Sequence, residues 1–221
     1  MNLINKHSFV VFDLDDTLYK EDDYHTSGLL AVAGQLQKMY GSEVSTKILD
    51  WKRSGVKDIW AELCTYLKLP DNTKDSFIWL YRLHKPNITL STEVKNTLHF
   101  SQEHAAGIAI LTDGRAITQR LKLAALGLQD IPCYISEEYQ SEKPNPERFQ
   151  LIQDEWPGLN YIYIGDNPKK DFLAPNTLGW TTIGLRGNEQ NIHSQDTSNL
   201  DANYLPSLWV SKLEDLLNLL C

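Results

Sequence analysis

Ser8-Phe9-Val10-Val11-Phe12-Asp13-Leu14-Asp15-Asp16-Thr17-Leu18 is the stretch whose reading decides the fold. Its first half is apolar, β-branched and aromatic, and it stops at an acid. Such a short run reads as a buried strand whose carboxyl end presents carboxylates. Working outward, the pattern turns helical from about Tyr24 to Leu83. Leu29, Val32, Ala33, Leu36 and Tyr40 share one face, and Val56, Ile59, Trp60, Leu63 and Leu67 share another. Phe77–Leu83 continues the helical character after a break at Pro70-Asp71-Asn72, and His84-Lys85-Pro86-Asn87 reads as a linker.

The remainder alternates. A helix starts near Ser91, Gly107–Leu111 is a strand, Ile117–Leu126 is a helix closed by Gly127, and Cys133–Ile135 is a short strand. Asn145-Pro146 caps the next helix, with Asn as N-cap and Pro at the first helical position. Tyr161–Ile164 is another buried strand. Thr181–Leu185 and Ala202–Leu205 are weaker strands, and Leu208–Leu220 is a closing amphipathic helix. Strand alternating with helix implies an α/β fold, a Rossmann-like parallel sheet with helices on both faces, plus a helical insert after the first strand. Ligands of such sheets sit beyond the carboxyl ends of the strands. Asp13, Thr112 and Asp166 all fall at that edge.

Composition narrows the function classes. The formal charge of −8 over 221 residues argues against nucleic acid and anionic membranes as partners, though not against a small anionic metabolite. No apolar run approaches a membrane helix, and Phe9–Phe12 is too short for a signal peptide, so the expectation is a cytoplasmic protein. Cys64, Cys133 and Cys221 form no CxxC pair, which argues against structural zinc and disulfides.

Four groups of residues carry chemistry. Asp13 and Asp15, alternating after the first strand, can approach a common centre only if a cation or a proton relieves their repulsion, and magnesium is the natural hard ion. A carboxylate there can also attack phosphorus. Taken alone, the same acids are a solvated turn or a helix cap; Asp16, Glu21, Asp22 and Asp23 read as solvated charges. Thr112-Asp113-Gly114-Arg115 offers a hydroxyl and turn amides to phosphate oxygens, or a helix cap, with Arg115 on the surface. Lys143, held at a helix entrance by Pro144 and Pro146, can supply fixed positive charge to a phosphoryl group, or is solvated as most lysines are. Gly165-Asp166 completes a metal site, with Asp171 either a further ligand or the cap of a helix through Phe172 and Leu173; Lys169 and Lys170 read as exposed.

Together the four motifs, in this order, resemble the signature of the haloacid dehalogenase superfamily, and the likeness runs from Phe9 to the last helix. Asp13–Leu18 looks like its first motif, Thr112 its second, Lys143 its third, and Gly165-Asp166 with Asp171 its fourth. The resemblance implies a catalytic α/β core over residues 1–20 and 86–221 and a small helical (C1-type) cap over 21–85. It implies that Asp13 is the nucleophile and Asp15 the general acid and base. Thr112, Asp113 and Lys143 would bind phosphate, and Asp13, Asp15 (through its main-chain carbonyl) and Asp166 would hold Mg2+. An acid at Asp15 marks phosphatases and phosphomutases and disfavours dehalogenation, because halide leaves without a proton. The expected function is a phosphatase acting on a sugar phosphate or nucleoside monophosphate. A phosphomutase, or a non-catalytic phospholigand-binding protein on the same fold, are the alternatives, and a monomer and a homodimer are both open. Bound substrate and neighbouring carboxylates are expected to raise the pKa of Asp15. Lys47, Lys52, Arg53 and Lys57 could contact an anionic or hydroxylated substrate, but most of them read as solubilising charges, and Trp51, Trp60 and Trp79 read as core.

Overall fold

The computed structural model describes residues 3–187, 191 and 194–218. Its strands are β1 (Ser8–Phe12), β2 (Gly107–Thr112), β3 (Cys133–Ile135), β4 (Asn160–Gly165), β5 (Thr181–Leu185) and β6 (Leu208–Val210). They form one six-stranded sheet in the order β3-β2-β1-β4-β5-β6, and every pairing is parallel. The fold is therefore the Rossmann-like α/β sheet that the alternation implied.

β1 lies at the centre, between β2 and β4, and all of its residues are buried. Side chains alternate across a strand, so its two faces feed two different cores. Val10 and Phe12 pack with Ile110, Leu123, Ile162 and Ile164 on one side. Phe9 and Val11 pack with Leu111, Phe149, Tyr163, Phe172 and Trp180 on the other. A strand buried on both faces has no room for alternation in polarity, which is why Phe9–Phe12 is a continuous apolar run. Truncating Phe12 to Ala would cost about 3–5 kcal/mol.

Helices α1 (Glu21–Tyr40), α2 (Ser45–Arg53), α3 (Ile59–Leu67) and α4 (Thr73–Arg82) follow β1. The acids Glu21, Asp22 and Asp23 in the first turn of α1 complement its dipole. These helices bury Leu29, Val32, Leu36, Ile48, Leu63 and Phe77 in a third core of their own. Gly28 allows the close approach of α4: a Cβ there would lie 2.4 Å from the Tyr81 ring. The remaining helices are α5 (Thr92–His104), α6 (Ala116–Leu126), α7 (Ser136–Tyr139), α8 (Glu147–Glu155), α9 (Leu173–Thr177) and α10 (Asp215–Asn218). Ser91 caps α5 by accepting from the Val94 amide at 3.3 Å, and Gly127 ends α6 in the left-handed conformation.

Several sequence expectations are corrected. Ala202–Leu205 is not a strand; Ala202–Tyr204 is a 3₁₀ turn, and the Asn176 side-chain amide takes the carbonyls of Asn203 and Leu205, each at 2.8 Å. Leu208–Val210 is the edge strand β6 on β5 rather than the start of a helix. Helix begins only at Asp215, and residues 219–221, including Cys221, lie outside the described residues. α8 starts one residue later than expected: Pro146 sits before its first residue, while Asn145 Oδ1 still accepts from the Glu147 amide at 2.9 Å. Tyr40 and Trp79 are 53% and 52% exposed, not core. Trp79 instead carries the Arg82 guanidinium at 5.5 Å from its ring centroid. Among the described residues no helix is long and apolar enough to cross a membrane.

Candidate active site

The carboxyl edge of the sheet collects the motif residues. Asp13 follows β1 directly, and its amide still donates to the Ile164 carbonyl of β4 at 2.8 Å. Thr112 ends β2, and Asp166 follows Gly165 at the end of β4. Lys143 comes in on the segment between α7 and α8. Its Nζ donates to Asp13 Oδ1 at 2.6 Å and Asp171 Oδ1 at 2.7 Å, and to the Tyr163 hydroxyl at 3.1 Å. Asp13, Lys143 and Asp171 are all buried. Asp13, Asp15, Thr112, Asp113, Lys143, Asp166 and Asp171, together with Glu21, Asn167 and Lys170, line one cavity of about 120 Å³. That is roughly four water volumes, room for a phosphoryl group but not for a whole metabolite. A larger cavity of about 510 Å³ beside Lys20, Thr89 and Lys212 assembles no comparable set of groups.

The carboxylates of Asp13, Asp166 and Asp171 offer oxygens within 4.8 Å of one another. Burial pushes Asp13 well above the usual carboxylate range, Lys143 opposes that, and the charges of Asp171 and Asp166 add to it. Burial likewise pushes Asp166 up to about 7, with Asp171 and Asp16 contributing. Lys143 stays protonated: burial alone would lower it, but the attraction of Asp13 and Asp171 outweighs burial. Such a set of hard oxygen donors is under-neutralised by one ammonium, and a divalent cation of the magnesium type fits it. Asp171 does not cap α9, whose first turn has no side-chain cap. Its Oδ2 accepts from the Asn167 amide at 2.7 Å, so it braces both Lys143 and the loop after β4. Gly165 makes room for it, since a Cβ there would lie 2.5 Å from Asp171 Oδ2.

Asp15 lies in a different environment. Its Oδ1 accepts from Lys122 Nζ at 2.7 Å and from the Tyr19 hydroxyl, and its Oδ2 from Gln119 Nε2 at 2.8 Å. Burial alone would raise Asp15, but the charge and hydrogen bond of Lys122, with those of Tyr19 and Gln119, hold it below the usual range. The expected upward shift from neighbouring carboxylates is thus reversed by a lysine from α6. Lys122 is itself buried and rests 4.4 Å from the Tyr24 ring centroid. Gln119 also donates to Thr112 Oγ1 at 2.7 Å.

Asp113 lines the cavity as well, and its side chain is held by cations and an amide around it. Its Oδ1 accepts from Arg148 Nη2 at 2.5 Å and from the Lys143 amide at 3.2 Å. Burial would raise Asp113, but the charges of Lys143 and Arg148 hold it down. Arg148 also binds the carbonyls of Thr112 at 2.9 Å and Tyr134 at 3.0 Å. A buried guanidinium thereby ties β2, β3 and α8 into one frame around Thr112. Arg115 is exposed, paired with Glu137 at 3.4 Å.

Asp16 and Glu21 are not the solvated charges that the sequence suggested. Asp16 is buried, and its Oδ1 accepts from the Glu21 amide at 3.1 Å, which starts α1. Asp22 pairs with Lys52 at 2.7 Å. Lys170 is half-buried rather than exposed, with its Nζ 3.3 Å from Asp113 Oδ2. Gln119, Lys122, Arg148 and Tyr163 were not anticipated. A signal for two of them existed. The buried stripe of α6 is Gln119, Lys122, Leu123 and Leu126, so polar residues occupy helical core positions.

The tip of the central strand of an α/β sheet thus delivers a carboxylate onto a buried lysine, beside two further buried acids. The chain belongs to the haloacid dehalogenase-like hydrolase family, whose model matches residues 10–185. It is 24% identical over 197 residues to the ribulose-1,5-bisphosphate 5-phosphatase of Halopiger xanaduensis, covering 79% of this chain and 82% of that one. Its fold is shared with the magnesium-bound HAD-hydrolase YfnB of Bacillus subtilis (TM-score 0.64, 16% identity, 98% and 99% of the two chains). It is shared also with a Thermotoga maritima protein named as a β-phosphoglucomutase (TM-score 0.63, 18% identity, 96% and 98%).

Proposed function

We propose that the chain is a magnesium-dependent phosphatase that hydrolyses a small phosphomonoester, a sugar phosphate or a nucleoside monophosphate, through a phosphorylated Asp13. The observation that carries this reading is the buried Asp13–Lys143 contact of 2.6 Å in the lining of a small, acid-rich cavity. The name of the Halopiger xanaduensis relative, a ribulose-1,5-bisphosphate 5-phosphatase, supports the same substrate class.

An Asp13 carboxylate oxygen attacks phosphorus, the bond to the ester oxygen breaks, and the departing oxygen takes a proton from Asp15. Water then attacks phosphorus, Asp15 takes its proton, and the Asp13–phosphorus bond breaks to release phosphate. Lys143 and the Thr112 hydroxyl hold the phosphoryl oxygens. Asp13, Asp166 and the main-chain carbonyl of Asp15 would hold Mg2+, which supplies charge neutralisation for the phosphoryl group. Lys122 keeps Asp15 ionised at rest, the state the water-activating half requires. For the first half, the proton enters with the substrate: a phosphomonoester has a second pKa near 6, so its monoanion carries one to Asp15.

Residues 21–85 act as a cap on a core of residues 1–20 and 86–221, and the separate apolar core of α1 to α4 supports that division. Cys64 and Cys133, both free, suit a reducing, cytoplasmic setting. The test is release of inorganic phosphate from a metabolite panel with Mg2+ and then with EDTA. Metal-dependent release supports the reading. Phosphoryl transfer to a second sugar without release identifies a mutase, and neither reaction identifies a binding protein.

A further inference from the structure

Glu21 lines the same cavity but has no part in the chemistry above. It is the first residue of α1, and the Asp16 carboxylate fixes its amide at 3.1 Å. Its own carboxylate differs from the other acids of the cavity. Among the described residues none donates a hydrogen bond to it or pairs with it. Asp13 has Lys143 at 2.6 Å, and Asp15 has Lys122 at 2.7 Å. The cations nearest to Glu21 are already engaged, Lys122 with Asp15 and Lys170 with Asp113.

Glu21 and Asp15 line the same cavity, where burial, with the charge of Asp15 adding to it, pushes Glu21 up to about 7. Since Asp15 would serve the ester oxygen and Glu21 lines the same cavity, Glu21 is placed to meet a substituent of the alcohol close to that oxygen. We infer that Glu21 selects the leaving group, admitting phosphomonoesters whose alcohol carries a hydroxyl or ammonium donor near the ester oxygen and rejecting those with a carboxylate or a second phosphoryl group there. This inference rests on the phosphatase reading. A donor satisfies an otherwise unpaired, half-buried carboxylate with a charge-assisted hydrogen bond. An anion meets a like charge where little water screens it.

The experiment compares kcat/KM, with Mg2+, for phosphoethanolamine, glycerol 1-phosphate, 2-phosphoglycolate and p-nitrophenyl phosphate. The wild type is expected to favour the ammonium and hydroxyl esters over phosphoglycolate by about tenfold or more, the discrimination one charged hydrogen bond supplies. In Glu21→Gln that ratio falls to within about threefold, and Glu21→Asp restores part of it. Circular dichroism checks that each variant is folded, and the ratio within each variant is the readout. A wild-type preference for phosphoglycolate, or an unchanged ratio in Glu21→Gln, overturns the inference. If p-nitrophenyl phosphate is hydrolysed while the ratio fails, only the role of Glu21 falls. If no ester releases phosphate, the phosphatase reading falls with it.

Discussion

The two halves of the site treat neighbouring acids in opposite ways. On the sheet side, Asp13 is sealed among Asp166, Asp171 and a single lysine, and its charge is under-neutralised. On the helical side, Asp15 has Lys122, Tyr19 and Gln119, and its charge is fully answered. Two carboxylates from one loop are thus shifted in opposite directions by their environments. The sheet side leaves its carboxylates under-neutralised, while the helical side has a cation built in.

Removing the nucleophile breaks the contrast most severely. Asp13→Asn should reduce phosphate release by about 10⁴-fold or more with the fold intact by circular dichroism. Retained turnover would assign the chemistry elsewhere. Stripping the cation acts on the sheet side alone: EDTA should lower turnover by about 10³-fold, and Mg2+ should restore it. Activity indifferent to EDTA would contradict the carboxylate reading of that side.

On the helical side, Lys122→Met should lower kcat/KM by about 10–100-fold. It should also move the acid limb of the pH–rate profile upward, because without Lys122 burial is free to raise Asp15. Lys122→Arg should restore much of the activity. An unmoved limb would mean that Lys122 is only structural.

Stability offers a gentler test. The folded-state pKa of Asp166 is raised to about 7, so the folded protein binds that proton more tightly than the unfolded chain does. Its contribution is complete below the unfolded value of about 3.9 and is lost as pH rises through about 7. Metal-free protein should therefore lose several degrees of Tm between pH 5 and pH 8, and Mg2+ should reverse the loss. A flat profile would contradict the under-neutralised site. The smallest effect belongs to the outer helices. The Lys52–Asp22 pair is partly exposed, so Asp22→Asn should cost less than about 1 kcal/mol in thermal unfolding. A larger loss would mean that ion pairing supports the helical layer as well.

What could be read from the chain follows local rules. Phe9–Phe12 announces a central strand because burial on both faces demands continuous apolarity. Ser91 and Gly127 mark helix ends because capping is a short-range effect. Leu208-Trp209-Val210 reads as helix in the sequence, since nothing local says that an outer strand lies open for pairing. The motif acids could be read as a set, yet their protonation could not. That depends on Lys122 and Arg148, which reach Asp15 and Asp113 from distant helices. Glu21 reads as a solvated charge because sequence shows an acid at a helix start, not the cavity beside it.

The central claim is a covalent bond to one residue. Rapid acid quenching of the enzyme during turnover, followed by peptide mass spectrometry, should find a hydroxylamine-labile phosphoryl group on Asp13. Phosphate attached to any other residue, or turnover with no phosphorylated enzyme at any time point, would contradict the account.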